Sequence, residues 1–399
     1  MPMARRRSPF RWLFALALIL VMAEGATRLV EWAADRNYSA PESVTSDRML
    51  YESHPFIGYV VDADYATPEG VKHAVNTNSL GYRGAEVRRK KPEGTFRIVC
   101  LGGSTTWGTG ATADDRTWSA GLQRVLNQAL PPESPYSRVE VINAGVSGYT
   151  ALESFVNLKM RLLPLDPDLV IVYHAANDAR ALRRGQFETD YSHVRRSWSD
   201  PPEPFLDDWL WWSHFYGVFR DWESDAAART LAGRMYVKHY NSLPKRNADD
   251  IAPGLENFGW TLREIVALSR LHGAEVMLST FTWRRGQEPN EGAQAWKKNF
   301  APILERMNVV ATTVASQEGT LLADVRRRGP KDDTDFHDVV HFTDSGHGRV
   351  AAVMAGTITR SGVLLKPPRS GAKKQRPGAK SGGAPAAPKG SGEDTDDDG

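Results

Sequence analysis

A chain of 399 residues with 41% apolar and 10% aromatic content is long enough to bury one or two sizeable cores. Its 50 basic and 48 acidic side chains nearly cancel to a formal charge of +2, so no global basic field points to nucleic acid, and no nucleic-acid partner is expected. The single cysteine excludes an intramolecular disulfide, so packing must hold the fold even in an oxidising compartment.

At the N-terminus, Arg5, Arg6, Arg7 and Arg11 precede an uncharged apolar run over 12–23, the pattern of an export signal. Residues 1–36 are assigned to that signal or to a membrane anchor. The run is shorter than the roughly 20 residues that span a bilayer, yet a helix over 10–30 would span if Arg11, Glu24 and Arg28 reached the interfaces. Either fate exports the remainder, to the cell envelope or the medium. Residues 37–94, rich in Pro, Gly, Tyr and Asp and carrying the turn-rich stretch from Asn78 to Gly84, read as an irregular lead-in.

Between residues 95 and 365, short Val, Ile and Leu-rich runs alternate with helical patterns. Strands are expected at 97–101, 139–143, 169–174, 275–280 and 321–325. Helices are expected at 118–130, 152–162, 258–272, 294–316 and 345–358. Unbroken apolar character in the first, third and fourth runs implies strands covered on both faces, and hence a parallel, doubly wound α/β domain. Cys100 sits inside the first of these strands and reads as buried. An insertion at about 183–254 holds Trp198, Trp209, Trp211, Trp212 and Trp222, more aromatic surface than a connection needs, and reads as a lid or side wall near the active site, or as a membrane-facing or partner-facing patch. From residue 366 the chain turns to Gly, Pro, Ala, Lys and Ser and then to an acidic run, a low-complexity tail expected to be disordered.

Reactive groups in such sheets sit where strands end and the chain turns into helices. Ser104 lies there, behind Gly102 and Gly103, as a candidate nucleophile whose own N–H could serve an oxyanion. Phosphate binding is the competing use of a Gly-rich strand end, but no Lys follows at P-loop spacing and no third Gly at dinucleotide spacing. Gly148 and Asn177 follow the next two strands and would add a backbone and a side-chain donor, neither of which titrates. His341 follows Asp338 by three residues, a spacing that lets a carboxylate fix the imidazole tautomer while the ring takes the serine proton. Asp335, His337 and His347 read as surrounding or surface residues.

These four segments resemble, in order, the signature of the SGNH superfamily of GDSL-type hydrolases across about 96–361. The resemblance implies a three-layer α/β/α sandwich with a parallel sheet, like that of flavodoxin. It makes Ser104 the nucleophile and first oxyanion donor, Gly148 and Asn177 the other donors, and Asp338 and His341 the rest of a triad. It also implies no required cofactor or metal, and ester hydrolysis or acyl transfer on lipids, acylated glycans or small esters. Gly103 stands where the family has Asp, and Ala175 where it has Gly, which bears on substrate fit more than on chemistry.

Three other readings compete. His337, His341 and His347 have the spacing of a zinc-hydrolase signature, although Asp338 replaces its general-base Glu and Asp344 its turn Gly. A non-catalytic envelope protein could use the same cleft to bind glycan or lipid. An O-acyltransferase acting on envelope polysaccharide would share every residue, because water and a sugar hydroxyl can attack one acyl-enzyme.

Overall fold

The computed structural model describes residues 9–34, 50–67, 73–195, 245–246, 248–286 and 290–368. Most of the aromatic insertion, the first part of the lead-in and nearly all of the tail lie outside these residues.

Helix α1 spans Pro9–Ala34, and its apolar side chains from Trp12 to Met22 are largely exposed. Its uncharged run is cut to 12–23 by Arg11 and Glu24. Among the described residues no helix is long and apolar enough to cross a membrane, so the spanning anchor expected as one alternative is not supported. The lead-in is less irregular than its composition implies. Strands β1 (Tyr51–His54) and β2 (Gly58–Val61) pair antiparallel in a short hairpin, and Arg83 forms an isolated bridge with Asn143.

The central sheet contains β3 (Thr95–Gly102), β4 (Arg138–Gly145), β5 (Leu169–Tyr173), β6 (Glu275–Ser279) and β7 (Leu321–Ala323). They run in the order β4-β3-β5-β6-β7, and every pairing is parallel. All eight residues of β3 and all five of β5 are buried, which is why 98–101 and 169–173 read as unbroken apolar runs. Arg97 lies fully buried inside β3, where Glu140 (2.6 Å) and the Leu165 and Arg88 carbonyls (2.5 and 2.8 Å) satisfy its guanidinium. Cys100 is likewise buried, and burial pushes its thiol well above the usual range.

Helices α2 (Ser104–Trp107), α3 (Trp118–Gln128), α4 (Ala151–Asn157), α5 (Ala176–Leu182), α6 (Ala252–Leu271), α7 (Glu291–Glu318) and α8 (Asp344–Ser361) build the outer layers. α3 packs on α8, while α6 packs on α4 and α7, giving a three-layer α/β/α arrangement. On the sheet's edge, Gln123 and Asn127 from α3 hydrogen bond to the β4 backbone at Val141 and Val139, capping groups that would otherwise invite another strand.

Register aligns the strand ends that matter. Gly102 pairs with Gly145 on one side and Tyr173 on the other, so β3, β4 and β5 finish on one line. The chain leaves β3 for β4 and then crosses back to β5, which makes the end of β3 the point where strand order reverses. Open α/β sheets place their crevice at such a point.

Candidate active site

Ser104 is the first residue of α2, immediately beyond Gly102 and Gly103. A four-residue helix is held here because the 102–108 segment is pinned at both ends. Val146 donates its N–H to the Gly102 carbonyl (3.1 Å), and the Arg83 guanidinium donates to the Trp107 and Gly108 carbonyls (3.3 and 3.0 Å). Ser104 is half-buried, while the rest of α2 is buried.

Asp338 and His341 lie in the loop before α8 and come to Ser104 from the far end of the chain. His341 Nε2 is 2.8 Å from Ser104 Oγ, and His341 Nδ1 is 2.6 Å from Asp338 Oδ2. A neutral imidazole protonated at Nδ1 therefore donates to the carboxylate and accepts from the serine hydroxyl. The other carboxylate oxygen, Asp338 Oδ1, accepts the N–H groups of Val340 and His341 (2.8 Å each), so this carboxylate shapes the turn that carries His341. Burial opposes ionisation of Asp338. The hydrogen bond from His341, the charge that ring carries once protonated, and these two N–H donors outweigh it and hold the carboxyl well below the usual carboxylate range. The loop is anchored by Arg284 N–H to Val339 O (2.9 Å), and by Asp344, which accepts from Thr112 N (2.9 Å) and Oγ1 (2.6 Å).

Gly148 falls in the turn after β4, and Asn177 is the second residue of α5, a little beyond the end of β5 rather than on it. Asn177 Nδ2 donates to Tyr149 O (2.9 Å) and lies against the segment that leads into Ser104, 2.6 Å from where a Cβ on Gly103 would sit. A side chain at Gly103, including the Asp found there in the family pattern, would need this amide to move. The amide has two hydrogens, and the Tyr149 carbonyl takes one.

The three late histidines do not converge. His337 is exposed, with its ring 6.2 Å from that of His73, while His341 lies between Ser104 and Asp338. His347 is fully buried in α8, where its Nδ1 accepts the Trp118 N–H at 3.3 Å, so of the two places expected for it, around the site or on the surface, the surface is excluded. Residues 336–342 form a loop closed by a Phe336–Phe342 bridge rather than the helix that a zinc signature requires, and this removes the geometric basis of the zinc reading. Among the described residues no three His, Cys, Asp or Glu side chains are grouped to hold a metal ion. Asp335 is buried too, and is paired with Arg349 at 2.9 Å.

Sequence reasoning missed two sets of residues. Asp178 is fully buried and accepts the Ala151 N–H at 3.0 Å, tying α5 to the start of α4. The lead-in also reaches the site. Ile57, Val60 and Val61 form a small apolar cluster with Trp107, Val146 and Tyr149.

Residues 100–349 match the family model described as the GDSL-like Lipase/Acylhydrolase family. No curated protein gives a match. Among solved structures, an alpha/beta hydrolase enzyme from the metagenome of Lake Arreo is similar at 17% identity and TM-score 0.39, over 68% of this chain and 96% of that one. An acetylxylan esterase from Geobacillus stearothermophilus is similar at 16% identity and TM-score 0.38, over 70% and 96%. A protein of the G-D-S-L family from Desulfitobacterium hafniense is similar at 13% identity and TM-score 0.38, over 66% and 99%. With the family model covering well over half of the chain, and the four signature segments in order within or beside one crevice, the protein belongs to the GDSL-like lipase/acylhydrolase family of ester-hydrolysing enzymes.

Proposed function

We propose that the protein is an exported serine esterase working through an acyl-enzyme on acylated lipids, acylated glycans or small esters. The observation that carries this reading is the continuous chain from Ser104 Oγ through His341 to Asp338, with contacts of 2.8 and 2.6 Å.

Ser104 Oγ attacks the ester carbonyl while its proton passes to His341 Nε2, and the carbonyl electron pair moves onto oxygen. That oxyanion is received by the N–H groups of Ser104 and Gly148 and by the Asn177 amide. Collapse of the tetrahedral species breaks the bond to the alcohol, which leaves with the proton from Nε2. Water then attacks the acyl-enzyme and gives a proton to His341, and the acid departs as Ser104 recovers its hydrogen. Asp338 remains ionised throughout and stabilises the imidazolium. The export half of the reading rests on the Arg cluster ahead of the apolar run at 12–23.

Ser104→Ala should lower kcat for p-nitrophenyl acetate by about 10³ or more, and should abolish labelling by a fluorophosphonate. Wild-type turnover in that variant would remove the mechanism. Protease accessibility in intact cells tests export, and a protected cytosolic product would contradict it.

A further inference from the structure

The turn that carries Gly148 has two possible forms, and a side chain from the lead-in selects one of them. Tyr149 N–H donates to Val146 O at 3.1 Å, closing a four-residue turn with Ser147 and Gly148 at its centre. Gly148 has φ +85°, whereas Ser147 is not among the positive-φ residues, which defines a type II turn. A type II turn becomes type I when the central peptide rotates by about half a turn, and Ser-Gly accepts both forms. That peptide consists of the Ser147 carbonyl and the Gly148 N–H. Because the unit is planar and trans, the two groups point in opposite directions, so fixing one aims the other.

Tyr59 Oη donates to the Ser147 carbonyl at 2.6 Å. The same hydroxyl lies 2.5 Å from where a Cβ on Gly148 would sit, so the phenol fills the space beside this glycine. Tyr59 is itself secured, because the Tyr149 hydroxyl donates to the Tyr59 carbonyl and the two rings meet edge to face at 5.3 Å. A second edge-to-face contact, with Tyr51 at 5.5 Å, supports the ring from within the hairpin. We infer that Tyr59 is a positioning residue for catalysis: its hydroxyl holds the Ser147–Gly148 peptide in the orientation that aims the Gly148 N–H at the oxyanion. The inference rests on the assignment of Gly148 as an oxyanion donor. A peptide free to turn over would bring a carbonyl oxygen where the developing negative charge needs a donor, which weakens the transition state while leaving the ground-state ester little affected.

The test is Tyr59→Phe in the full chain, which removes the hydroxyl and keeps the ring contacts. With kcat normalised to sites titrated by a fluorophosphonate, so that only folded enzyme is counted, kcat for p-nitrophenyl acetate should fall about 10- to 100-fold, and KM should change less than about threefold. Affinity for a trifluoromethyl ketone, whose adduct carries the oxyanion, should fall by a similar factor. Tyr149→Phe, which releases the Tyr59 carbonyl, should lower kcat in the same direction by a smaller factor. Tyr82→Phe, a hydroxyl deletion elsewhere in the lead-in, should leave kcat unchanged. If Ser104→Ala is inactive but Tyr59→Phe keeps wild-type kcat and ketone affinity, the inference is overturned and the serine mechanism stands. A change in KM alone would also overturn it, since that is the mark of a substrate contact. Full activity in Ser104→Ala would remove both.

Discussion

Replacing Asp338 by Asn tests the Ser104–His341–Asp338 chain without dismantling the loop. Asn Oδ1 can still accept the Val340 and His341 N–H groups now held at 2.8 Å, so the turn should persist. What changes is the group 2.6 Å from Nδ1, where an NH2 donor replaces a carboxylate oxygen. Nδ1 must then act as acceptor, the ring proton moves to Nε2, and Nε2 faces Ser104 Oγ as a donor unable to take its proton. The magnitude has two parts. A carboxylate about 4 Å from an imidazolium contributes about 4 kcal/mol at an effective dielectric near 20. The Asp338 side chain is 48% exposed, so solvent screening reduces this to about 2 kcal/mol, or roughly 30-fold in rate. Restoring the productive tautomer against two opposed N–H groups adds about 3 kcal/mol, bringing the loss in kcat to about 10³–10⁴, the range seen for such changes in serine triads. The assay is steady-state hydrolysis of p-nitrophenyl acetate, with thermal melting alongside to show an intact fold. A variant that melts like the wild type and retains kcat within about tenfold would refute the reasoning.

Asn177→Ala should reduce kcat by about 10²-fold with little change in KM, and an unchanged kcat would leave the amide as a turn-stabilising group only. Arg83→Ala should destabilise the protein by about 3–5 kcal/mol in urea unfolding, because the side chain is 2% exposed and its loss removes the only cation paired with Asp114 among the described residues, at 2.7 Å, leaving that carboxylate only its Asn76 donors; a change below about 1 kcal/mol would contradict this. Gly145→Ala should cost about 1–3 kcal/mol and lower kcat, since its Cβ would lie 2.3 Å from the Trp107 N at the end of α2; wild-type stability and rate would show that α2 can shift freely. Burial lowers His174 to about 3 and, with the Arg83 charge as a lesser cause, His347 to about 4. As pH falls below about 6.5, the unfolded chain takes up protons that these folded histidines refuse, so stability should decline from pH 7 to pH 5. His174→Gln should flatten that decline, and an identical pH slope in wild type and variant would exclude His174 as a source.

The parts of the molecule that were legible in sequence are those whose environment is uniform along the chain. β3 and β5 are covered on both faces, so an unbroken apolar run identifies them to within two residues at each end. The start of α6 was misjudged by six residues because Pro253 and Gly254 look like breakers, whereas proline is well suited to the first turn of a helix, where its missing N–H costs nothing. β7 ends at Ala323 rather than 325 because Asp324 caps a following helical turn by accepting the Arg327 N–H. The Asp338 and His341 pair could be read from spacing because one loop carries both. Tyr59 could not, since its partner at Ser147 lies 88 positions away and nothing local distinguishes it from other lead-in tyrosines.

The match to the family begins at residue 100, yet two of the restraints on the crevice come from before it. Arg83 gathers the carbonyls at the end of the helix that starts with Ser104, and its ion pair with Asp114 anchors the loop beyond. Tyr59 grips the turn that follows β4, while Ile57, Val60 and Val61 pack against Trp107, Val146 and Tyr149 beneath both segments. The single helical turn that carries Ser104, the proposed nucleophile, and the glycine turn that carries Gly148, the proposed donor, are conformationally weak elements taken alone. Catalysis by electrostatic preorganisation requires them to be fixed before the substrate arrives, because a donor that must reorient during the reaction loses much of its advantage. On the proposed mechanism the lead-in therefore belongs to the catalytic unit in the physical sense, since its contacts restrain segments that the sheet positions but does not immobilise.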